Sequence, residues 1–189
     1  MGSCERAAVS GPVPGPVLTT ERLELWRPAT SDHAGLLALT TPEPVRRFLG
    51  PSQPTPEDAF ARLLRNAGSW ALYGYGVFIV RERGGAEIVA SCGVFHTWRG
   101  FGESMDDVPE AGWIIAEPHW GKGYASEAMQ AALAWFDATH GLRRTVCMIE
   151  EGHSGSAAVA AKLGFEEYAR HVPDEGRALV LYERGVIRE

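Results

Sequence analysis

The stretch HWGKGYASEA, residues 119–128, follows a strand-like run (EAGWIIA, Glu110 to Ala116) that closes at Pro118, and it opens a long amphipathic run. Two glycines around a lysine at a strand-to-helix junction constrain this chain more than any other feature. The first-turn N–H groups of a helix have no internal partner and lie at the positive end of its dipole. Gly121 and Gly123 remove the side chains that would keep an anion from those amides, and Lys122 adds charge beside them. The arrangement suits a phosphate or pyrophosphate. A tight turn with close helix packing is the competing reading. Two other phosphate motifs fail on the letters. A dinucleotide fingerprint needs a third glycine where Ser126 stands, and a P-loop needs Ser or Thr where Gly123 stands and glycine where Ala116 stands.

The flanking elements follow from periodicity. Arg22 to Arg27 (RLELWR) alternates as a strand, Pro28 closes it, and Thr30 or Ser31 can cap a short helix, SDHAGLLAL. PTPEDAFARLLRNAG carries a capping box, with Thr55 as cap, Pro56 at the first position and Asp58 three residues on; Phe60, Leu63 and Leu64 form its apolar face and Gly68 lies near its stop. YGVFIVRE and EIVASCGVF, joined by residues 83–86, read as a hairpin, and residues 97–108 as a loop. After the glycine stretch, Ala125, Ala128, Met129, Ala132, Leu133 and Phe136 share one helical stripe that Gly141 ends. RTVCMI is a strand, Ser154 or Ser156 opens a short helix ending at Lys162-Leu163-Gly164-Phe165, and two strands follow near 166–170 and 178–184. The order βααβββαβαββ predicts one mixed-sheet α/β (α+β) domain over residues 19–189, behind a loose Gly/Pro-rich tail over residues 1–18.

Charge and cysteine content narrow the function classes. A net charge of −6 over 189 residues disfavours nucleic acid and anionic membrane as partners and mildly favours cationic substrates. Cys4, Cys92 and Cys147 are scattered and odd in number, which excludes a disulfide framework and a CxxC zinc site; Cys92 and Cys147 sit in apolar runs as small buried hydrophobes. No HExxH or Cys–His cluster argues for a metal. No signal pattern or membrane-length apolar run is visible, and Arg6 breaks a myristoylation motif, so a cytoplasmic location is expected.

Several segments together resemble the GNAT N-acetyltransferase superfamily. Trp120-Gly121-Lys122-Gly123-Tyr124-Ala125 fits the family's pyrophosphate loop, with Trp at the first place. Ser156, Lys162, Leu163, Gly164 and Phe165 match the later family segment; the RLEL-type strand and the Glu110, Gly112, Trp113 strand match as well. WGKGYA followed by a Glu-Ala pair is similar to the branch of ribosomal-protein N-terminal acetyltransferases and their relatives on small amines. The resemblance, over roughly residues 19–184, implies a single domain with a mostly antiparallel, twisted sheet flanked by helices, and often a homodimer. It also implies acetyl-CoA as co-substrate and direct acetyl transfer to a primary amine, a peptide N-terminus or a small molecule. The implied cofactor-binding residues are Ile114, Ile115, Ala116, Trp120, Gly121, Lys122, Gly123, Tyr124, Ala125, Ser126, His153 and Ser156. Two positions depart from the pattern. The family's asparagine falls at His153, and a tyrosine general acid used by many members falls at Ala160. A non-catalytic acyl-CoA-binding module is therefore the alternative.

The chemistry needs a neutral amine and a stabilised oxyanion, for which the Ile115 N–H is the candidate donor. An α-amine near pKa 8 is about one-tenth neutral at pH 7 and a lysine near 10.4 about four parts in ten thousand, so lysine costs roughly 3 kcal/mol more to deprotonate. This favours α-amines or other low-pKa amines. Glu110 is the candidate general base, with a solvated strand-end carboxylate as the competing reading. Ser156 is either the proton donor to the leaving thiolate or the cap of its helix. His153 is a cofactor contact or an ordinary loop histidine, and His119 a loop residue. Trp98 and Phe101, aromatics in a polar loop, are candidates for acceptor contact.

Overall fold

A computed structural model of the chain describes residues 15–50, 52–102, 105–173 and 176–185. The elements are β1 (Leu18–Thr19), β2 (Leu23–Trp26), α1 (His33–Thr40), α2 (Glu43–Arg46), α3 (Pro56–Tyr73), β3 (Val77–Glu82), β4 (Ile88–Thr97), β5 (Val108–Ile115), α4 (Tyr124–His140), β6 (Thr145–Glu150), α5 (Ser154–Lys162), β7 (Glu166–His171) and β8 (Leu179–Arg184). They form one eight-stranded sheet in the order β1-β2-β3-β4-β5-β6-β8-β7. Every neighbouring pair is antiparallel except β5–β6, which the α4 crossover makes parallel.

Alternation along the strands supplies two buried faces. Leu23, Leu25, Phe78, Val80, Cys92 and Ala111 pack with Ala128, Met129, Leu133 and Phe136 of α4 and Ala160 of α5. Ile79 and Ile114 pack on the other face with Leu36 and Leu39 of α1 and Leu63 of α3. A third cluster, Met105, Val146 and Leu181, fills the β6–β8 half. Burial pushes the Cys92 thiol up to about 12 and the Cys147 thiol higher still, so both are inert core residues.

Helix α3 departs most from its sequence pattern. Thr55 and Asp58 form the expected reciprocal cap, with Asp58 N–H to Thr55 Oγ1 at 3.2 Å and Thr55 N–H to Asp58 Oδ2 at 2.9 Å. The helix does not stop near Gly68. It runs to Tyr73 and ends at Gly74, whose φ is +76°. Nor do Phe60 and Leu64 face the core; they are 50% and 55% exposed. The buried stripe is Ala59, Leu63, Asn66, Ser69 and Trp70. Its serine has partners that only the tertiary fold supplies: Ser69 Oγ donates to Tyr75 O at 2.8 Å and accepts from His96 N–H at 3.1 Å.

The N-terminal region departs too. Most of the expected loose tail, residues 1–14, lies outside the described residues. Beyond it, Leu18 pairs with Leu25 and the Val17 N–H donates to Leu25 O at 2.8 Å, so the sheet gains a short edge strand. The four-residue helix α2 also goes beyond the sequence reading; PEPVRR has too few residues to show a helical period. Among the described residues, no helix is long and apolar enough to cross a membrane.

Candidate active site

Strands β5 and β6 pair only at Glu110–Val146. Beyond that point they diverge, and the far half of β5 has no neighbour on that side. Ala116 N–H donates to Val89 O at 2.9 Å, which fixes which residues face β4. By antiparallel alternation the main-chain groups of Gly112 and Ile114 turn toward β4, and those of Trp113 and Ile115 turn into the gap. A cavity of about 540 Å³ opens there, between β5, the start of α4, the start of α5 and the segment after α2.

The start of α4 is built as the glycine pattern predicts. Gly121 and Gly123 have φ of +74° and +81°, a left-handed backbone that other residues adopt only with strain. The helix ladder begins with Glu127 N–H to Gly123 O at 3.0 Å, so the amides just before it are unpaired within the helix. Two ties fix this mouth. Trp120 Nε1 donates to Ile115 O at 2.8 Å, locking the loop to the end of β5. On the other side, Glu127 accepts from Thr20 Oγ1 at 2.6 Å and from Arg22 Nε at 2.7 Å, while Arg22 Nη1 donates to Lys122 O at 2.9 Å. Burial pushes the Glu127 carboxyl up, but the hydrogen bonds from Thr20 and Arg22 outweigh it and hold it below the usual range. The Glu127 carboxylate in the first turn also complements the dipole.

The start of α5 forms the opposite wall. Its cap is His153, not Ser154 or Ser156: Nδ1 accepts from Ser156 N–H at 3.4 Å. The imidazole stacks on Phe48, with centroids 3.7 Å apart. Ser156 Oγ is thereby free for another task and accepts from Trp113 Nε1 at 2.9 Å. Burial first, and then the Arg47 guanidinium, pull the His153 pKa below its ordinary value against the opposing pull of Glu150. Such a group favours the fold fully above the unfolded-state value near 6.5, and that contribution is lost as pH falls from there through the lower folded-state value. Asparagine, a good cap that does not titrate, removes this loss. His153→Asn is therefore expected to leave stability at pH 7.5 within about 1 kcal/mol of wild type and to flatten the decline of Tm between pH 7 and pH 5, measured by thermal denaturation across that range.

Of the residues expected at the cofactor site, Ile114, Ile115, Trp120, Gly121, Gly123, Tyr124, Ala125, Ser126, His153 and Ser156 line the cavity. Ala116 and Lys122 do not. The Ala116 side chain packs on the α1/α3 face, and Lys122 is exposed, its Nζ 3.5 Å from His119 Nδ1. Tyr124 is buried, its hydroxyl donating to Glu82 at 2.6 Å, so its ring builds the floor. His119, read as a loop residue, is part of the wall and stacks on Tyr124.

Glu110 is not a solvated strand-end carboxylate: it is 3% exposed, and both its oxygens are taken by Arg99, Nε at 2.9 Å and Nη2 at 2.6 Å. It lies outside the cavity wall. A carboxylate held on both oxygens is a poor free proton acceptor. Ala160, at the family's tyrosine position, is fully buried. Of the loop aromatics expected at the acceptor, Trp98 is exposed and Phe101 stacks on His171. Sequence reasoning missed Arg47 and Phe48, because nothing in PEPVRRF marks it as a wall, and missed Trp113 as an indole donor to Ser156. Among the described residues, no group of three His, Cys, Asp or Glu side chains is placed to hold a metal.

Comparison with known proteins agrees with this geometry. Residues 22–166 match the family described as Acetyltransferase (GNAT) domain. A solved structure from Bordetella pertussis, assigned to the GnaT acetyltransferase family, is 34% identical, covers 88% of this chain and 98% of its own, and superposes with a TM-score of 0.80. The ribosomal L7/L12 alpha-N-protein acetyltransferase RimL, solved in complex with coenzyme A, shares the fold at 17% identity, with 89% of this chain and 96% of that chain covered and a TM-score of 0.71. Bacillus subtilis YkkB, a protein without an assigned role, is 27% identical over 114 residues; the chain spans 62% of that relative's length, and the match takes in 59% of the chain. With the family match running from Arg22 to Glu166, over more than half of its length, the chain belongs to the GNAT acetyltransferase domain family.

Proposed function

We propose that the protein is an acetyl-CoA-dependent N-acetyltransferase that moves the acetyl group directly to a primary amine, an α-amine or a small amine of low pKa. The observation that carries this reading is the gap between β5 and β6, which opens main-chain donors of β5 onto the same cavity as the unpaired amides of α4. The α4 amides, framed by Gly121 and Gly123, would hold the pyrophosphate of acetyl-CoA. The Ile115 N–H, turned into the gap, is the donor for the developing oxyanion. Ser156 is the proton donor to the leaving thiolate: its lone pair takes the Trp113 indole proton, which leaves its own hydroxyl proton to give. Holding both reactants in one cavity supplies the proximity that direct transfer needs.

With Glu110 engaged by Arg99, the amine that suits this site arrives already neutral, which is the reason for favouring α-amines over lysine. The test combines thermal denaturation with and without acetyl-CoA and a thiol-release assay over peptides, amino acids and polyamines. Stabilisation by acetyl-CoA with thiol release for some amine is the expected result. Stabilisation without release for any of them would favour a non-catalytic acyl-CoA-binding module, the reading suggested by Ala160 in place of a tyrosine acid.

A further inference from the structure

Two cations, Arg47 and Lys162, line the cavity at the sheet gap, and among the described residues no Asp or Glu does. In a chain of net charge −6 this is a local reversal of sign. The walls come from two layers. One is α4 and α5, which pack with Trp113 and Ile115 on one face of the sheet. The other is the segment after α1, which contributes Val45, Arg47, Phe48 and Leu49; α1 itself packs with Ile114 on the opposite face. The split of the sheet at Glu110 lets the two layers meet, and Phe48 reaches His153 at the start of α5.

The Arg47 guanidinium stands 4.7 Å from the centre of the Phe48 ring. The His153 imidazole, 3.7 Å away and nearly parallel, fills one face of that ring, so the guanidinium covers the other. The order Arg47, Phe48, His153 fixes where this charge sits in the wall, and His153 feels it. A guanidinium has five N–H donors. Among the described residues, no carboxylate, carbonyl or hydroxyl takes any of those on Arg47. Lys162 stands elsewhere, in the last turn of α5.

We infer that Arg47 recognises a carboxylate on the acceptor, so that the substrate class is an amine that also carries an acidic group. This rests on the acetyl-transfer reading, which lays acetyl-CoA along the α4/α5 layer with its pyrophosphate on the α4 amides and its thiol end at Ser156. The acceptor then approaches from the layer that the cofactor leaves open. Of the residues which the segment after α1 gives to the wall, Arg47 alone has a polar side chain. A planar guanidinium matches a carboxylate in two parallel hydrogen bonds, which a neutral amide cannot replace. Phe48 and Leu49 beside it offer apolar surface to the carbon chain of the same substrate.

The experiment uses the full chain and pairs of acid and amide whose amines are alike. Tripeptide amides with Asp or Asn at the first position, and with Glu or Gln at the second, serve as acceptors in the thiol-release assay. The N-acetylated forms of the same peptides, titrated calorimetrically in the presence of coenzyme A, serve as binding pairs that need no turnover. The acid members are expected to be preferred by about tenfold or more, the weight of one charge-assisted contact. Arg47→Gln is expected to bring that preference in kcat/KM and in affinity close to one, and Arg47→Lys to keep part of it. Arg47 is exposed, so both variants are expected to fold, which circular dichroism and thermal denaturation check. Equal treatment of acid and amide by the wild type overturns the inference. So does a preference that survives Arg47→Gln, whether or not that variant loses affinity for acetyl-CoA. Absence of turnover with every amine, with the acetylated acid members still preferred in the titration, would sink the transfer reading and uphold the anion site.

Discussion

Gly123→Val is expected to abolish the thermal stabilisation that acetyl-CoA gives the wild-type protein while leaving a folded chain. Two effects combine at this position. The backbone is left-handed, φ +81°, where a side chain costs about 1–2 kcal/mol of stability. An added Cβ also comes within 3.6 Å of the Arg22 guanidinium, which is bonded to the Lys122 carbonyl, so the bulk of valine disturbs the mouth whose amides are proposed to hold a pyrophosphate. Loss of those contacts is expected to weaken binding at least about a hundredfold, or roughly 2.7 kcal/mol. Gly164→Val separates the effects. Its φ is +79° and an added Cβ there meets nothing within 4 Å, so it carries a like strain at the far end of α5. Both variants should lose a few degrees of Tm, and only Gly123→Val should lose the response to acetyl-CoA. A response retained by Gly123→Val would remove the α4 mouth as the cofactor site.

The second large effect is expected at the buried ion pair. Arg99→Ala leaves the Glu110 carboxylate without either of its donors in a position 3% exposed, and removing one partner of a buried pair costs about 3 kcal/mol. The low end of the usual range is chosen because the Arg99 side chain is itself 31% exposed. The check is the urea midpoint at unchanged m-value. Arg99→Ala combined with Glu110→Gln should recover much of the loss, because the orphaned charge is gone. A single variant within about 0.5 kcal/mol of wild type would mean that water reaches Glu110 and that the pair is an ordinary surface contact.

These two positions also show what was legible from the letters. The α4 mouth was, because glycine at a strand-to-helix junction has a local cause: two left-handed residues and a set of unpaired amides fall within a few residues of one another. The stripe of α4 was read for the same reason, since Ala128, Met129, Ala132, Leu133 and Phe136 repeat at the helical period and are all buried. Glu110 was not. Its place on the strand was correct, but its burial depends on Arg99, which returns from the β4–β5 loop. The α3 stripe misled for a related reason. Phe60 and Leu64 look like core letters, and the true inward positions include Asn66 and Ser69, the serine being held by Tyr75 and His96 outside the helix.

The sequence by itself determined most of the elements, the glycine-framed mouth of α4 and the membership of a GNAT-like domain, because each depends on spacing within one segment. Only the tertiary structure decided that His153 rather than a serine caps α5, that Ser156 holds the Trp113 indole, and that Glu110 is buried with both its oxygens on Arg99. His153 is seated by its stacking on Phe48, and Ser156 meets Trp113 beside the place where the sheet splits at Glu110; these contacts join segments far apart in the chain, and no local period encodes them.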